Sequence, residues 1–157
     1  MFRTYIAKAN KNVDKASSYW EKGKLRERST QVSLAVLAKV GPNTDERKKI
    51  LRQAKSELFA SLANYRIAGG YENIRVLVDQ ACQVELSFSV SEQVDIDLFK
   101  AWSMLARGLQ DEVEVKVKRI LEVCKDKGLR EHRGKASKIL ATVTDLRTNA
   151  VVFGDEA

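Results

Sequence analysis

Most of the candidate functional residues of this chain are basic. Lys and Arg number 28 against 21 Asp and Glu, which gives a formal net charge of +7. Ammonium and guanidinium groups gathered on one surface bind phosphates and displace the counterions of a polyanion. Three sets are dense enough to consider, and we name them the first basic group, the basic row and the basic run. They are Lys22, Lys24, Arg26 and Arg28; Lys48, Arg52, Lys55 and Arg66, with Phe59 among them; and Lys125, Lys127, Arg130, Arg133, Lys135 and Lys138.

The basic row has the spacing of a helix. At about 100° per residue, its four cations and Phe59 fall on one stripe beside an apolar face. An aromatic ring among cations offers a platform on which a nucleobase can stack. An ordinary helix flank explains the same pattern, because lysines beside a core lay their stems over apolar neighbours and another helix can cover Phe59.

The basic run is denser than the usual spacing of surface charges. Its first members, Lys125 and Lys127, precede Gly128 and so lie near the C-terminal end of a predicted helix, where the helix dipole favours cations. That effect does not account for the later members. The residues that we predict to bind nucleic acid are Lys48, Arg52, Lys55, Phe59, Arg66, Arg130, Arg133, Lys135 and Lys138.

Two classes of function fit these charges. The first is a non-catalytic nucleic-acid-binding protein that contacts the phosphate backbone of RNA or DNA through a basic helical face. The second is an oligomeric structural or adaptor subunit, because residues 76–99 contain five acids and no Lys or Arg. In that case the acidic region of one copy would meet a basic patch of another copy in a homo-oligomer.

Residue patterns for catalysis or metal binding are not found in the sequence. The single histidine, His132, stands among arginines and is interpreted as a solvated residue of a loop or helix end. The glycine pair at 69–70 lacks the further glycines and the Lys-Ser/Thr pair of a phosphate-binding loop. Glu92, Asp95 and Asp97 lack the oxygen-donor pattern of an EF-hand. We therefore expect neither an enzyme nor a bound cofactor or metal.

Cysteine usage and hydropathy bear on the compartment. Cys82 and Cys124 have no second Cys or His at ligand spacing, so we interpret both as buried, reduced thiols. That interpretation predicts the cytoplasm or another reducing intracellular compartment. No run approaches the roughly 20 apolar residues of a membrane span, and residues 1–13 have no continuous apolar core of signal-peptide type, so no membrane partner is expected.

A helix over residues 43–68 must hold the basic row. A Gly-Pro pair precedes it and a Gly-Gly pair follows it, and both are typical of helix boundaries. Asn43 with Glu46 has the capping-box pattern, although Thr44 can cap instead. Its apolar positions recur at steps of three and four, and we expect the other helices to pack on the face that they share. They are Ile50, Leu51, Ala54, Leu58, Leu62 and Tyr65.

The rest of the chain also has helical periodicity. Further helices are predicted over 13–40, with Gly23 as a candidate break, and over 71–90, 97–109 with Asp97 as cap, 111–127 and 134–150. Residues 32–40 are apolar nearly all round and are expected to be the most buried segment. Residues 84–90 alternate between apolar and polar, so a strand there would make the fold α+β. The predicted fold is a single all-α domain over 1–157, a compact bundle of five or six helices with short connections.

Overall fold

The computed structural model describes residues 19–40, 44–83 and 86–155, with only the backbone described for 149–155. The described residues form six helices and no strand. The helices are α1 (Tyr19–Leu37), α2 (Asp45–Ala68), α3 (Tyr71–Gln83), α4 (Val90–Ala106), α5 (Gln110–Lys127) and α6 (Arg130–Asp155). The all-α prediction, with five or six helices and short connections, is confirmed.

The alternative α+β fold depended on a strand at residues 84–90. Residues 84 and 85 lie outside the described residues, residues 86–89 are neither helix nor strand, and Val90 begins α4. The described part of this region therefore contains no strand, and the α+β alternative is wrong for it. The predicted helix start at residues 13–18 and the predicted boundary and cap at residues 41–43 also lie outside the described residues.

The chain divides into two compact units, Met1–Leu86 and Ser87–Ala157. In the first unit α1 and α3 both pack on α2, which confirms for these two helices the organising role predicted for α2. In the second unit α4, α5 and α6 pack on one another around their own core. The prediction of one domain over residues 1–157 remains a prediction. The core of the second unit comprises Val94, Leu98, Ala101, Leu105, Val113, Val117, Ile120, Cys124, Ala136, Ile139 and Val143.

Both ends of α2 are fixed by local hydrogen bonds. Thr44 has extended backbone angles, and its side chain accepts a hydrogen bond of 3.1 Å from the backbone N–H of Arg47, so Thr44 is the N-cap. At the other end Gly69 takes a left-handed conformation with φ of 76°. The N–H of Gly70 then donates to the carbonyl oxygen of Tyr65 at 2.7 Å, which closes the helix as the glycine pair predicts.

Gly23 allows α1 to approach α2 closely. The buried Ser61 Oγ donates a hydrogen bond of 2.7 Å to the carbonyl oxygen of Gly23. An ideal Cβ on Gly23 would lie 2.7 Å from Cδ1 of the fully buried Tyr65. Because tertiary packing outweighs the low helix propensity of glycine here, α1 is continuous through this position and the predicted break is wrong.

Residues 32–40 are not the most buried segment. Val32 is 52% exposed and Val36 is 40% exposed, whereas α1 buries Leu34 and Leu37. A segment that is apolar nearly all round has no stripe to mark its inner face. The face that turns inward is set by the close contact with α2 further upstream, and the sequence of this segment does not reveal it.

α4 begins seven residues earlier than predicted. The Ser89 side chain accepts a hydrogen bond from the N–H of Glu92 at 3.2 Å, and the Glu92 carboxylate accepts one from the N–H of Ser89 at 2.9 Å. This capping box satisfies two N–H groups that Asp97 could not satisfy together, so the prediction of Asp97 as the cap is wrong. Asp97 instead lies inside α4, where its carboxylate is 3.7 Å from Nζ of Lys116.

α5 follows the sequence prediction closely, and α6 extends it. α5 ends at Gly128, which has a left-handed φ of 68°. α6 begins at Arg130, four residues before the predicted start at Gly134, and its backbone stays helical to Asp155. The side chains of the apolar tail at 151–154 lie outside the described residues. Gly134 therefore occupies an exposed helical position inside α6.

Arg147 joins α6 to α5 through two carboxylates. Its Nη1 lies 2.6 Å from Glu114 and its Nη2 lies 2.5 Å from Asp111. Arg147 and then Lys118, at 3.1 Å, hold the pKa of Glu114 below its usual range. Since the folded pKa is lowered, this stabilisation is present above the ordinary carboxyl pKa and is lost as pH falls through the lowered value.

Candidate nucleic-acid interface

The basic run lies on both sides of the turn between α5 and α6. Lys125 and Lys127 are in the last turn of α5, and the other four members follow in the first turns of α6. All six side chains are exposed, and none of them makes an ion pair with any residue in the described ranges. The same segment contains two carboxylates, Asp126 and Glu131. One end of the second unit therefore presents six cations against two anions.

The dipoles of the two helices have opposite effects on these cations. The C-terminal end of α5 stabilises Lys125 and Lys127, as the sequence predicts. Arg130 and Arg133 lie at the N-terminal end of α6, where the dipole disfavours a positive charge by about 0.3–1 kcal/mol each. Leu129 precedes α6 and has no side-chain oxygen with which to cap it. Cations at a helix N-terminus without a side-chain cap break a local rule, and such exceptions are expected at functional or strained sites.

His132 lies between the exposed arginines of the basic run in sequence, but its side chain faces the interior of the second unit. Its side chain is only 16% exposed, and Nε2 lies 3.0 Å from Oδ1 of Asp95 on α4, although the contact lacks hydrogen-bond geometry. The prediction of a solvated histidine is therefore wrong. Arg130 and Arg133 lie about 160° and about 100° from His132 around the helix, and both are exposed.

The basic row lies on one side of α2, as its spacing predicts. Lys48 and Arg52 are exposed, whereas Lys55, Phe59 and Arg66 are partly buried. The row extends over 18 residue steps, or about 27 Å of helix. Its exposed end can reach a ligand without rearrangement, while the ring of Phe59 offers only part of its surface. The stacking role of Phe59 remains a prediction.

Part of the charge of the first basic group is already used within the first unit. Arg26 lies 3.2 Å from Glu57 on α2. The ammonium of Lys22 lies 5.1 Å from the ring centroid of Tyr19, and that of Lys24 lies 4.4 Å from the ring centroid of Trp20. These are cation–π contacts at helical spacings of three and four residues. Arg28 is exposed.

Two aromatic residues of this region were missed by the sequence reasoning. Tyr19 is 43% exposed and Trp20 is 40% exposed, and both lie beside lysines on the first turns of α1. The signal that could have found them is the spacing of each ring three or four residues before a lysine. The first unit therefore combines exposed rings with cations, which is the composition of a single-strand-binding surface.

The cysteines differ from the sequence prediction in one respect. Cys82 and Cys124 are both free thiols, but Cys82 is exposed and only Cys124 is buried. Burial raises the pKa of the Cys124 thiol, while the nearby charge of Arg133 opposes that effect. Cys82 occupies the last turn of α3 and directly follows the buried Ala81.

Other kinds of site receive no support from the described residues. Among them, no three His, Cys, Asp or Glu side chains come together in a way that could hold a metal ion. Every helix in the described ranges is too short or too polar to cross a lipid bilayer.

The nine predicted residues thus lie in both units, five on α2 and four on α6. The structure brings together the four on α6 with the end of α5, and it keeps the five on α2 in a single row. Comparison with protein-family models, curated proteins and solved structures finds no match to this chain.

Proposed function

We propose that this protein is a non-catalytic nucleic-acid-binding protein that contacts the phosphate backbone of RNA or DNA. The basic run carries the proposal, since its six exposed cations have no carboxylate partner among the described residues. Some of the other cations in the described ranges are paired with carboxylates. Arg75, for example, pairs with Glu72 and with Asp79, and Arg147 pairs with two acids.

The dimensions of the basic run suit a phosphate backbone. Arg130 and Lys138 are eight residues apart on α6, which is about 12 Å of helix. Phosphates follow one another every 3.4 Å or so along one strand of a duplex, so this length matches about three or four of them. Lys48 and Arg52 on α2 supply a second exposed pair of cations. The free thiols support a reducing compartment such as the cytoplasm.

The test is a titration of fluorescently labelled single-stranded RNA, single-stranded DNA and duplex DNA at about 50 mM and about 200 mM salt. If each of the six cations of the basic run, Lys125 and Lys127 included, contacts one phosphate, the affinity for duplex DNA should fall about 10³-fold between the two conditions, because binding releases the condensed counterions. Absence of binding to all three probes at the lower salt concentration would reject the proposed function.

Charge reversal locates the site. The variant Arg130→Glu/Arg133→Glu/Lys135→Glu is expected to bind about 100-fold more weakly at low salt and to lose about two to three from the slope of log K against log salt. The matched control, Lys39→Glu/Lys49→Glu/Arg107→Glu, makes the same change of net charge at exposed positions outside the three basic sets. Equal losses in both variants would show a response to net charge alone.

Folding is a second readout of the same variant. Glutamates at the start of α6 are favoured by its dipole, so thermal stability should be unchanged or slightly higher when Arg130 and Arg133 are reversed. Weaker binding without loss of stability assigns the effect to contact with the ligand. A drop in the thermal midpoint would instead give the two arginines a structural role.

The alternative is an oligomeric adaptor that uses its acidic region 76–99, and the described residues of that region offer little free negative charge. Asp79 pairs with Arg75, Asp95 contacts His132, and Asp97 pairs with Lys116. Glu92 is used in the capping box of α4. These carboxylates are engaged within their own units, so we rank this function second.

A further inference from the structure

A groove of about 760 Å³ runs between α4 and α5 in the second unit. Apolar side chains line it, among them Met104 from α4 and Val115 and Val123 from α5. Val115 is 53% exposed and Val123 is 39% exposed, so the α5 side of the groove is an apolar surface open to contact. None of these residues belongs to the basic run.

One side of α5 combines these valines with two charges, and we name Glu112, Val115, Arg119 and Val123 the α5 stripe. Their spacing of three, four and four residues places them on one flank of the helix, beside the buried face. Glu112 and Arg119 make no ion pair with any residue that the structure describes.

The neighbouring charges of the groove are matched internally. Lys116 does not form the pair with Glu112 that its i,i+4 spacing predicts, because it contacts Asp97 across the groove. Asp111 is held by Arg147. An unmatched carboxylate and an unmatched guanidinium therefore remain on the α5 stripe, about 10 Å apart along the helix, with an exposed valine between them.

The charges of the α5 stripe are complementary to those of a second α5 stripe that runs in the opposite direction. If two copies of α5 lie antiparallel with a two-fold axis beside Val115, Glu112 of each copy faces Arg119 of the other, and the two copies of Val115 meet in the middle. We propose that the α5 stripe is a self-association surface that pairs α5 antiparallel with α5 of a second copy of this chain. The inference goes beyond the proposed function and does not rest on it.

A second copy fits this surface better than the other occupants do. A nucleic acid would find a single cation, Arg119, on this surface, beside the carboxylate of Glu112 and two exposed valines, and no aromatic ring. An unrelated helix would need an arginine and a glutamate in the same reversed order that α5 already supplies. Two helices in contact bury less than the roughly 1,200 Å² at the low end of standard interfaces, so the dimer is expected to be weak and transient.

Sedimentation of the full chain and two single variants tests the proposal. Arg119→Glu and Glu112→Lys each place like charges opposite one another at both ends of the pair, so each variant should raise the dimer dissociation constant at least about tenfold. Mixing the two single variants should restore association, since the lysine introduced at position 112 of one copy then faces the glutamate introduced at position 119 of the other. The control is Glu122→Lys, an exposed position of α5 outside the α5 stripe.

The outcomes separate cleanly. A wild-type chain that stays monomeric at about 1 mM overturns the proposal, as does a dimer that both single variants leave intact. Dimerisation that the single variants weaken but their mixture does not restore overturns the antiparallel register. Because both charged positions are exposed, circular dichroism should show unchanged helix content in every variant.

Discussion

Replacing Gly23 with alanine is expected to lower the free energy of unfolding of the first unit by about 2–3 kcal/mol. A Cβ at this position would lie 2.7 Å from Cδ1 and 2.8 Å from Cε1 of Tyr65. The ring cannot move aside freely, because it is fully buried and its hydroxyl is hydrogen-bonded to Glu27 at 2.5 Å. Separating α1 from α2 would weaken the hydrogen bond from Ser61 to the Gly23 carbonyl instead.

Gly134→Ala is the matched control, since Gly134 is also a glycine inside a helix. Nothing lies within 4 Å of the Cβ that would be added there. Alanine should therefore stabilise α6 by about 0.5–1 kcal/mol through its higher helix propensity. Urea unfolding measures both changes, with Trp20 as the fluorescent reporter of the first unit in a Trp102→Phe background. An alanine at position 23 that costs nothing would contradict the close approach of α1 to α2.

Tyr65→Phe is expected to destabilise the first unit by about 2 kcal/mol at neutral pH, because it removes a hydrogen bond to a charged group. The Tyr65 hydroxyl donates to Oε2 of Glu27 at 2.5 Å. Burial, followed by this hydrogen bond and by the negative charge of Glu27, raises the pKa of Tyr65 above its ordinary value of 10.0. The protein therefore holds the phenol in its neutral form.

The raised pKa gives the substitution a signature in alkaline solution. The unfolded chain releases the phenolic proton near pH 10, whereas the folded chain retains it, so the folded state binds more protons above that pH. The stabilisation is complete below about pH 10 and falls as pH rises further. Tyr65→Phe should lose less stability than the wild type on going from neutral to strongly alkaline pH.

A double-mutant cycle with Glu27→Gln isolates the pair. The sum of the stability losses in the two single variants should exceed the loss in the double variant by about 1–2 kcal/mol, since each substitution removes the same charged hydrogen bond. Additive losses, or an alkaline slope that Tyr65→Phe leaves unchanged, would show that Tyr65 contributes by packing alone.

Helices that have clear capping residues or a terminal glycine at their ends could be predicted from the sequence. α2 lies between Thr44 and Gly69, and α5 has acids in its first turn and Gly128 after its last. The start of α4 was missed because Ser89 and Asp97 are both good caps. The choice between them depends on which one satisfies more N–H groups together with its neighbours.

The candidate interface could be predicted only in part. The density of the basic run is visible in the sequence. The early start of α6 is not, and it places Arg130 and Arg133 at a helix N-terminus, where the helix dipole disfavours positive charge. Which cations are compensated depends on contacts between distant residues. The pair of Arg26 with Glu57, for example, spans 31 positions, and no local pattern reveals it.

The difference between the two thiols has a practical consequence. Cys82 is exposed and lies in the first unit, so an alkylating reagent reaches it without any opening of the protein. Cys124 lies in the core of the second unit, and the reagent reaches it only when α4, α5 and α6 separate. The slow phase of alkylation therefore measures how often the second unit opens, and the native chain needs no added probe.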